Sequence, residues 1–266
     1  MIRIGLQIIS LIPKRVLMAP FLFSYGYDLF DKGDLFVIVK WLLTSGTFPL
    51  SHGSGNAMAS YLSFKELADC EKEGRDYRIR IELRDPRVLI MAPHGGKIEP
   101  TTDEIAEAIA GTSYSLYSFE GLKTDGNSVL HIESHLFDEP RALEVVEKAE
   151  IVITVHGQID QKEEFVMVGG LNDSLGLATK QEVEAAGFQT RPPTEGLMGT
   201  DPQNICNRGR LKQGVQLEVS RKIRDSFRTD KDHLRVFTNA VRRAIQSYLE
   251  GEKNEHEFPH TRSSDT

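Results

Sequence analysis

The stretch Val88-Leu-Ile-Met-Ala-Pro-His-Gly-Gly-Lys-Ile-Glu-Pro100 constrains this chain most. Val88–Ala92 is an apolar run bounded by polar residues, which fits a strand buried on both faces. At its end come Pro93, His94, Gly95 and Gly96, with Glu99 close behind. A His and a Glu where a buried strand gives way to a loop sit where open α/β sheets put their ligands. The two glycines open backbone angles that other residues avoid. The chain can therefore fold back and turn His94 and Glu99 toward one point, which could hold a metal.

The rest of the chain supplies the setting. Its 266 residues suffice for one large domain or two small ones. A net charge of −7 argues against a non-specific nucleic-acid binder. Cys70 and Cys206 are too few for a disulfide framework or a thiolate zinc site. Residues 1–57 read differently, with five Lys/Arg against three Asp/Glu. Their apolar runs, Ile4–Ile12, Val16–Phe23 and Leu35–Leu43, fall short of the roughly 18 unbroken apolar residues of a membrane span. No Ala-x-Ala-like cleavage site follows the first run, so the expectation is a cytoplasmic protein, released on lysis if at all. Thr44-Ser-Gly-Thr and Ser51-His-Gly-Ser-Gly-Asn read as a linker. The expected organisation is an appendage and linker over 1–57, a domain over 58–250 and a disordered tail over 251–266.

From Tyr61 strands and helices alternate. Ser63-Phe-Lys-Glu66 is a capping box, with Leu62 and Leu67 spaced as a hydrophobic staple. Tyr77–Leu83 alternates polar and apolar as a half-buried strand does. Thr101-Thr-Asp-Glu104 announces a helix, Ser113–Phe119 and Ser128–Glu133 read as strands, and Pro140 opens another helix. Further strands are expected at Glu150–Val155, Glu164–Val168 and Gly214–Val219. Helices are expected from Thr179 to Gly187 and from Asp232 to Leu249. The alternation implies an α/β three-layer sandwich with a mixed sheet whose central strands are parallel.

Two buried strands end in His-Gly, at His94 and His156, and Glu99 follows the first. Two imidazoles and a carboxylate are a known ligand set for catalytic zinc, with the fourth position left to water. Such a metal polarises an acyl carbonyl and acidifies its water. The chemistry also needs a proton carrier that is not a ligand. Glu218, near the end of another buried strand, fits. Each residue alone has a plainer structural reading: a hydrogen-bonded histidine, an acid ahead of a helix, a polar strand position. Their convergence at three strand ends sets a metal hydrolase level with that plainer reading. His131 is a candidate substrate contact. No P-loop and no Gly-x-Ser-x-Gly elbow is present.

At these residues the sequence resembles the phage-type poly-γ-glutamate hydrolase family, also described as phage-related replication proteins. The matching stretches are Ala92–Pro100, Leu130–Ser134 with Phe137–Leu143, Val155-His-Gly157, and Asn204–Arg208 leading to Gly214–Arg221. They span about Tyr61 to Leu249. The resemblance implies a zinc carboxypeptidase-like fold and cleavage of γ-glutamyl amide bonds. On that likeness His94, Glu99 and His156 are the Zn2+ ligands and Glu218 is the general base and acid. The His-x4-Glu spacing departs from the His-x2-Glu of true carboxypeptidases and favours the poly-γ-glutamate branch. Residues 1–57 have no counterpart in it. The polymer carries a carboxylate on every residue, which a chain of net −7 would repel unless its cleft is locally basic. Arg208 and Arg221 are therefore the expected carboxylate clamps, with Lys97 beside them. The expected protein is a monomer acting on this anionic polymer, without nucleic-acid or membrane partners. Two other readings are the same chemistry on small N-acyl amino acids or peptides, and a catalytically silent phage or prophage interaction protein. The second has no use for an unbound general base.

Overall fold

A strand that offers apolar side chains in both directions must lie between two layers, and β2 (Asp85–Gly96) does so. In the computed structural model, which describes residues 61–257, Val88, Ile90 and Ala92 face one core and Leu89 and Met91 face another. The strand is flanked in sequence by β1 (Tyr77–Glu82) and by α2 (Thr102–Ala110), which leads to β3 (Tyr114–Gly121). After α3 (Pro140–Lys148) come β4 (Ile151–Gln158), β5 (Val166–Gly170), α4 (Asp173–Ala185), β6 (Thr190–Arg191) and β7 (Val215–Ser220). The remaining helices are α1 (Phe64–Cys70), ahead of β1, and α5 (Arg221–Thr229) and α6 (Lys231–Glu257) at the end.

The seven strands order as β1-β3-β2-β4-β7-β5-β6. The four central ones are mutually parallel, while β1 and β5 run antiparallel to their inner neighbours. Residues of α2, α4, α5 and α6 build the core on one face. On the other, α1 and α3 join Leu130, Ile132 and Phe137. This is the expected three-layer α/β sandwich with a mixed, centrally parallel sheet.

The chain leaves β2 through α2 to β3 on one side and returns through α3 to β4 on the other. The connections part between β2 and β4, which is where such sheets open a crevice at their carboxyl ends. The two strands pair from Val88↔Ile151 to Met91↔Thr154, and both histidines lie past the last pair.

Several expected elements differ. Ser128–Glu133 is not a strand: Asn127–Leu130 is a short 3-10 turn, and Leu130 and Ile132 both point into the core, so the alternation did not reflect a pleat. The fourth helix starts at Asp173, capped by Asn172, whose side chain accepts the Leu175 amide at 2.9 Å. Thr179, the expected cap, is buried inside it. Ser63 does cap α1 by accepting the Glu66 amide, but Leu62 is exposed and makes no staple with buried Leu67. The last helix continues through Gly251 to Glu257, beyond the expected start of the tail. The appendage expected over 1–57 lies outside the described residues. Among the described residues no helix is long and apolar enough to cross a membrane.

Ile90 has no exposed surface at the centre of the sheet. Ile90→Ala should lower unfolding free energy by about 2–5 kcal/mol, read from the urea midpoint at unchanged slope.

Candidate metal centre

Period-two alternation would put His94 on the same face as Ala92, away from the crevice. A bulge changes this. Ala92 pairs with Ser118 and Gly95 with Glu120, so β2 spends one more residue than β3 over the same span. His94 is thereby turned to the side of Ile132 and Phe137. In β4 and β7 ordinary alternation suffices: His156 follows core-facing Val155, Glu218 follows Leu217, and the two are register partners. All three side chains reach the same face.

Gly96 then turns the chain with φ +63, and a Cβ there would meet the Gly121 carbonyl at 2.6 Å. The turn closes with the Glu99 amide donating to the His94 carbonyl at 2.9 Å. Glu99 Oε1 ends 3.2 Å from His94 Nδ1. Its Oε2 accepts the Gly157 amide at 2.7 Å and lies 3.8 Å from His156 Nδ1. The two Nδ1 atoms are 3.2 Å apart.

His94 Nε2 lies 2.8 Å from the Ile132 carbonyl. A carbonyl only accepts, so Nε2 carries a hydrogen and Nδ1 is the ring atom turned to His156 and Glu99, able to bind a cation when it carries no proton. Two ring nitrogens and a carboxylate aimed at one point form a donor set for a cation. Among the described residues these three offer donor atoms all within 4.8 Å of one another. Zinc bonds of about 2.0–2.1 Å in tetrahedral array put ligand atoms about 3.3 Å apart, close to the spacing seen. The donor set fits a zinc-type ion.

The electrostatics agree with that division. Burial pushes the Glu99 carboxyl up, but the charge of His94 and hydrogen bonds from His131 and His94 outweigh it and hold it well below the usual range. Burial drives His156 down to about 3, so it stays neutral. For His94 burial lowers and the Glu99 charge raises, and the second wins. Glu218, 5 % exposed, is pushed well above the usual range by burial and then by Glu99. Its Oε1 accepts the Gln216 amide at 3.0 Å, and Gln216 is held in turn by Asn204 at 2.8 Å.

His94, Glu99, His131, His156 and Glu218 line one cleft of about 890 Å3 with Glu133, His135 and the loop Thr194–Asp201. His131 stacks on His94, centroids 3.8 Å apart, with Nε2 3.5 Å from Glu99. The expected clamps are elsewhere. Arg208 folds back and donates to the Phe137 carbonyl at 2.8 Å. Arg221, in the first turn of α5, pairs with Asp225 at 2.8 Å. Lys97 is exposed and donates to the Lys123 carbonyl. Among the described residues lining the cleft none is Lys or Arg, whereas Glu133, Glu195 and Asp201 are acidic. Gln216, Asn204 and Arg224 bear on the site without having been singled out; the usable signal for Arg224 was a cation in helical register with Ile223 and Phe227.

A profile for poly-gamma-glutamate hydrolase matches residues 61–249. The SPbeta prophage-derived protein YoqZ of Bacillus subtilis (strain 168) is 37 % identical over 195 residues, 73 % of this chain and 68 % of that protein. YndL of the same organism is 37 % identical over 193 residues, covering 71 % and 75 %. Among solved structures, a bacteriophage poly-gamma-glutamate hydrolase aligns with a TM-score of 0.70 at 30 % identity over 73 % of this chain and 99 % of that one. Zinc-free YndL aligns with a TM-score of 0.67 at 33 % identity, over 71 % and 98 %.

His156→Ala removes one of three converging donors. The variant should fold, by circular dichroism, yet lose most of its metal in elemental analysis; full occupancy would take His156 out of the centre.

Proposed function

Because the chain belongs to the poly-gamma-glutamate hydrolase family, we propose that it is a zinc-dependent amidohydrolase that cuts γ-glutamyl amide bonds of poly-γ-glutamate. His94, Glu99 and His156 would hold the metal and Glu218 would move the proton. The observation that carries this reading is the meeting of two Nδ1 atoms and a carboxylate at one point, in the cleft that Glu218 also lines.

When bound, the metal supplies a Lewis acid at the scissile carbonyl and makes water a better nucleophile. The chain's residues do the rest. Glu218 is buried, so it exchanges protons with the reacting groups rather than with bulk solvent. Its raised pKa brings it nearer to working pH, where one carboxyl can accept a proton from the attacking water and return it to the leaving amine. The Gln216 amide fixes the carboxylate's orientation and itself donates to the Leu197 carbonyl at 3.2 Å. The Thr194–Asp201 loop is thus tied to the acid it overhangs. Glu99 cannot share this work, since its charge is committed to three imidazoles.

The acidic lining bears on how the polymer enters. With no Lys or Arg among the described cleft residues, attraction for a polyanion must come from the metal and from hydrogen-bond donors such as Ser134 and Thr194. Repulsion from Glu133, Glu195, Asp201 and the net charge of −7 opposes it.

Two outcomes follow. Glu218→Gln should retain zinc and bind polymer but hydrolyse it at least ~100-fold more slowly, followed by release of new amino groups with zinc measured on the same sample. Near-normal turnover would remove Glu218 from this role. Raising ionic strength from about 20 to 200 mM should lower KM, because salt screens like charges. A KM that climbs steeply with salt would instead reveal a basic binding track.

A further inference from the structure

Arg224 is 2 % exposed on α5, and the ion pairs among the described residues do not include it. Its guanidinium spends its donors on three backbone carbonyls. Nε donates to Val219 at 3.0 Å, Nη1 to Pro100 at 2.5 Å and Nη2 to Gln158 at 3.1 Å. Pro100 directly follows Glu99, Val219 directly follows Glu218, and Gln158 lies just past His156. One planar group therefore ties together the backbone beside a residue from each of the three segments that build the site. Those segments come from β2's loop, β4 and β7; β4 and β7 stay paired through Gln158↔Ser220, but register does not hold β2 to β4 past Met91 and Thr154.

The residue between these ties is cut to fit. A Cβ on Gly157 would lie 2.5 Å from the Arg224 Cζ and under 3 Å from both terminal nitrogens. The guanidinium thus lies directly against the Gly157 peptide. On that same residue the amide nitrogen donates to Glu99 Oε2 at 2.7 Å. Arg224 supports from behind the peptide that orients the carboxylate in front.

We propose that Arg224 is a positioning residue that sets Glu99 and His156 at metal-binding separation before the metal arrives, so that loss of its geometry weakens metal binding. The proposal rests on the metal assignment above. Charge alone predicts the opposite: a cation near the centre repels a divalent ion, and its removal would tighten binding. Lysine separates the two, because it keeps the charge and cannot span three carbonyls in one plane.

The test measures zinc and cobalt dissociation constants, by competition with a chromophoric chelator, for wild type, Arg224→Lys, Arg224→Met and Gly157→Ala, each checked for folding by circular dichroism. Gly157→Ala displaces the guanidinium while leaving its charge in the chain, and it decides the matter if the arginine variants do not fold. The expected result is a dissociation constant raised at least ~10-fold in Arg224→Lys and Gly157→Ala, the lower end for residues that orient metal ligands, with an altered cobalt visible spectrum. Wild-type affinity with a wild-type cobalt spectrum in the folded variants, even at lower melting temperature, would reduce Arg224 to packing and overturn the proposal. Tighter binding in Arg224→Met would overturn it in favour of charge. If wild type itself takes up no stoichiometric metal, the metal assignment fails first, and the two failures are told apart by that control.

Discussion

One extra residue in β2 decides what the crevice can do. Without the bulge between Ala92 and Gly95, His94 would point into the core of α2, α5 and α6, and the only imidazole at the strand ends of β2 and β4 would be His156. With it, His94 lies against Ile132 and meets His156 at 3.2 Å. The bulge also starts the turn that returns Glu99 to the same point. A bulge disrupts a ladder locally, and here β2 pairs with β3 before and after it and with β4 up to Met91. His94 therefore sits at the end of a stretch of β2, Val88–Gly95, that is buried throughout.

Much of this could be seen in the chain itself. The apolar run before His94, the His-Gly endings and the β7 segment with Glu218 are local patterns, and local patterns survive folding. What could not be seen depends on partners distant in sequence. The face that His94 takes follows from a register with β3, and no periodicity within β2 records it. Ser128–Glu133 alternates like a strand because Leu130 and Ile132 both serve the core while His131 between them faces the cleft, although the backbone there is a turn and a loop. The short basic helix α5 shows only Ile223, Arg224 and Phe227 to the interior, too few for an apolar stripe.

The arginines show the same limit in charge. Arg208 and Arg221 flank the β7 segment in sequence, which suggested a basic cleft. Nearness along the chain does not set direction. Arg221 is spaced for an i,i+4 pair with Asp225, and Arg208 satisfies carbonyls of the loop after Ile132. Both act on the frame around the site. Arg224, a few residues further on, does the same more completely, and burial among carbonyls takes it out of any role toward solvent-borne anions.

A buried carboxylate, Glu218, and a half-buried one, Glu99, differ sharply in environment. Glu99 is surrounded by imidazoles and a backbone amide, so its charge is matched and its pKa falls. Glu218 meets burial and the field of Glu99, with only Gln216 and the more distant Arg224 opposing, so its pKa rises. Titratable groups pushed apart in this way point to different roles: the ionised one suits coordination and the one whose pKa is raised suits proton transfer. Each shift depends on the other, because the charge that fits Glu99 for a cation is part of what lifts Glu218. Neutralising Glu99 would therefore disturb both, while Glu218 can be altered with the donor set left in place. That asymmetry supports the proton-transfer role proposed for Glu218.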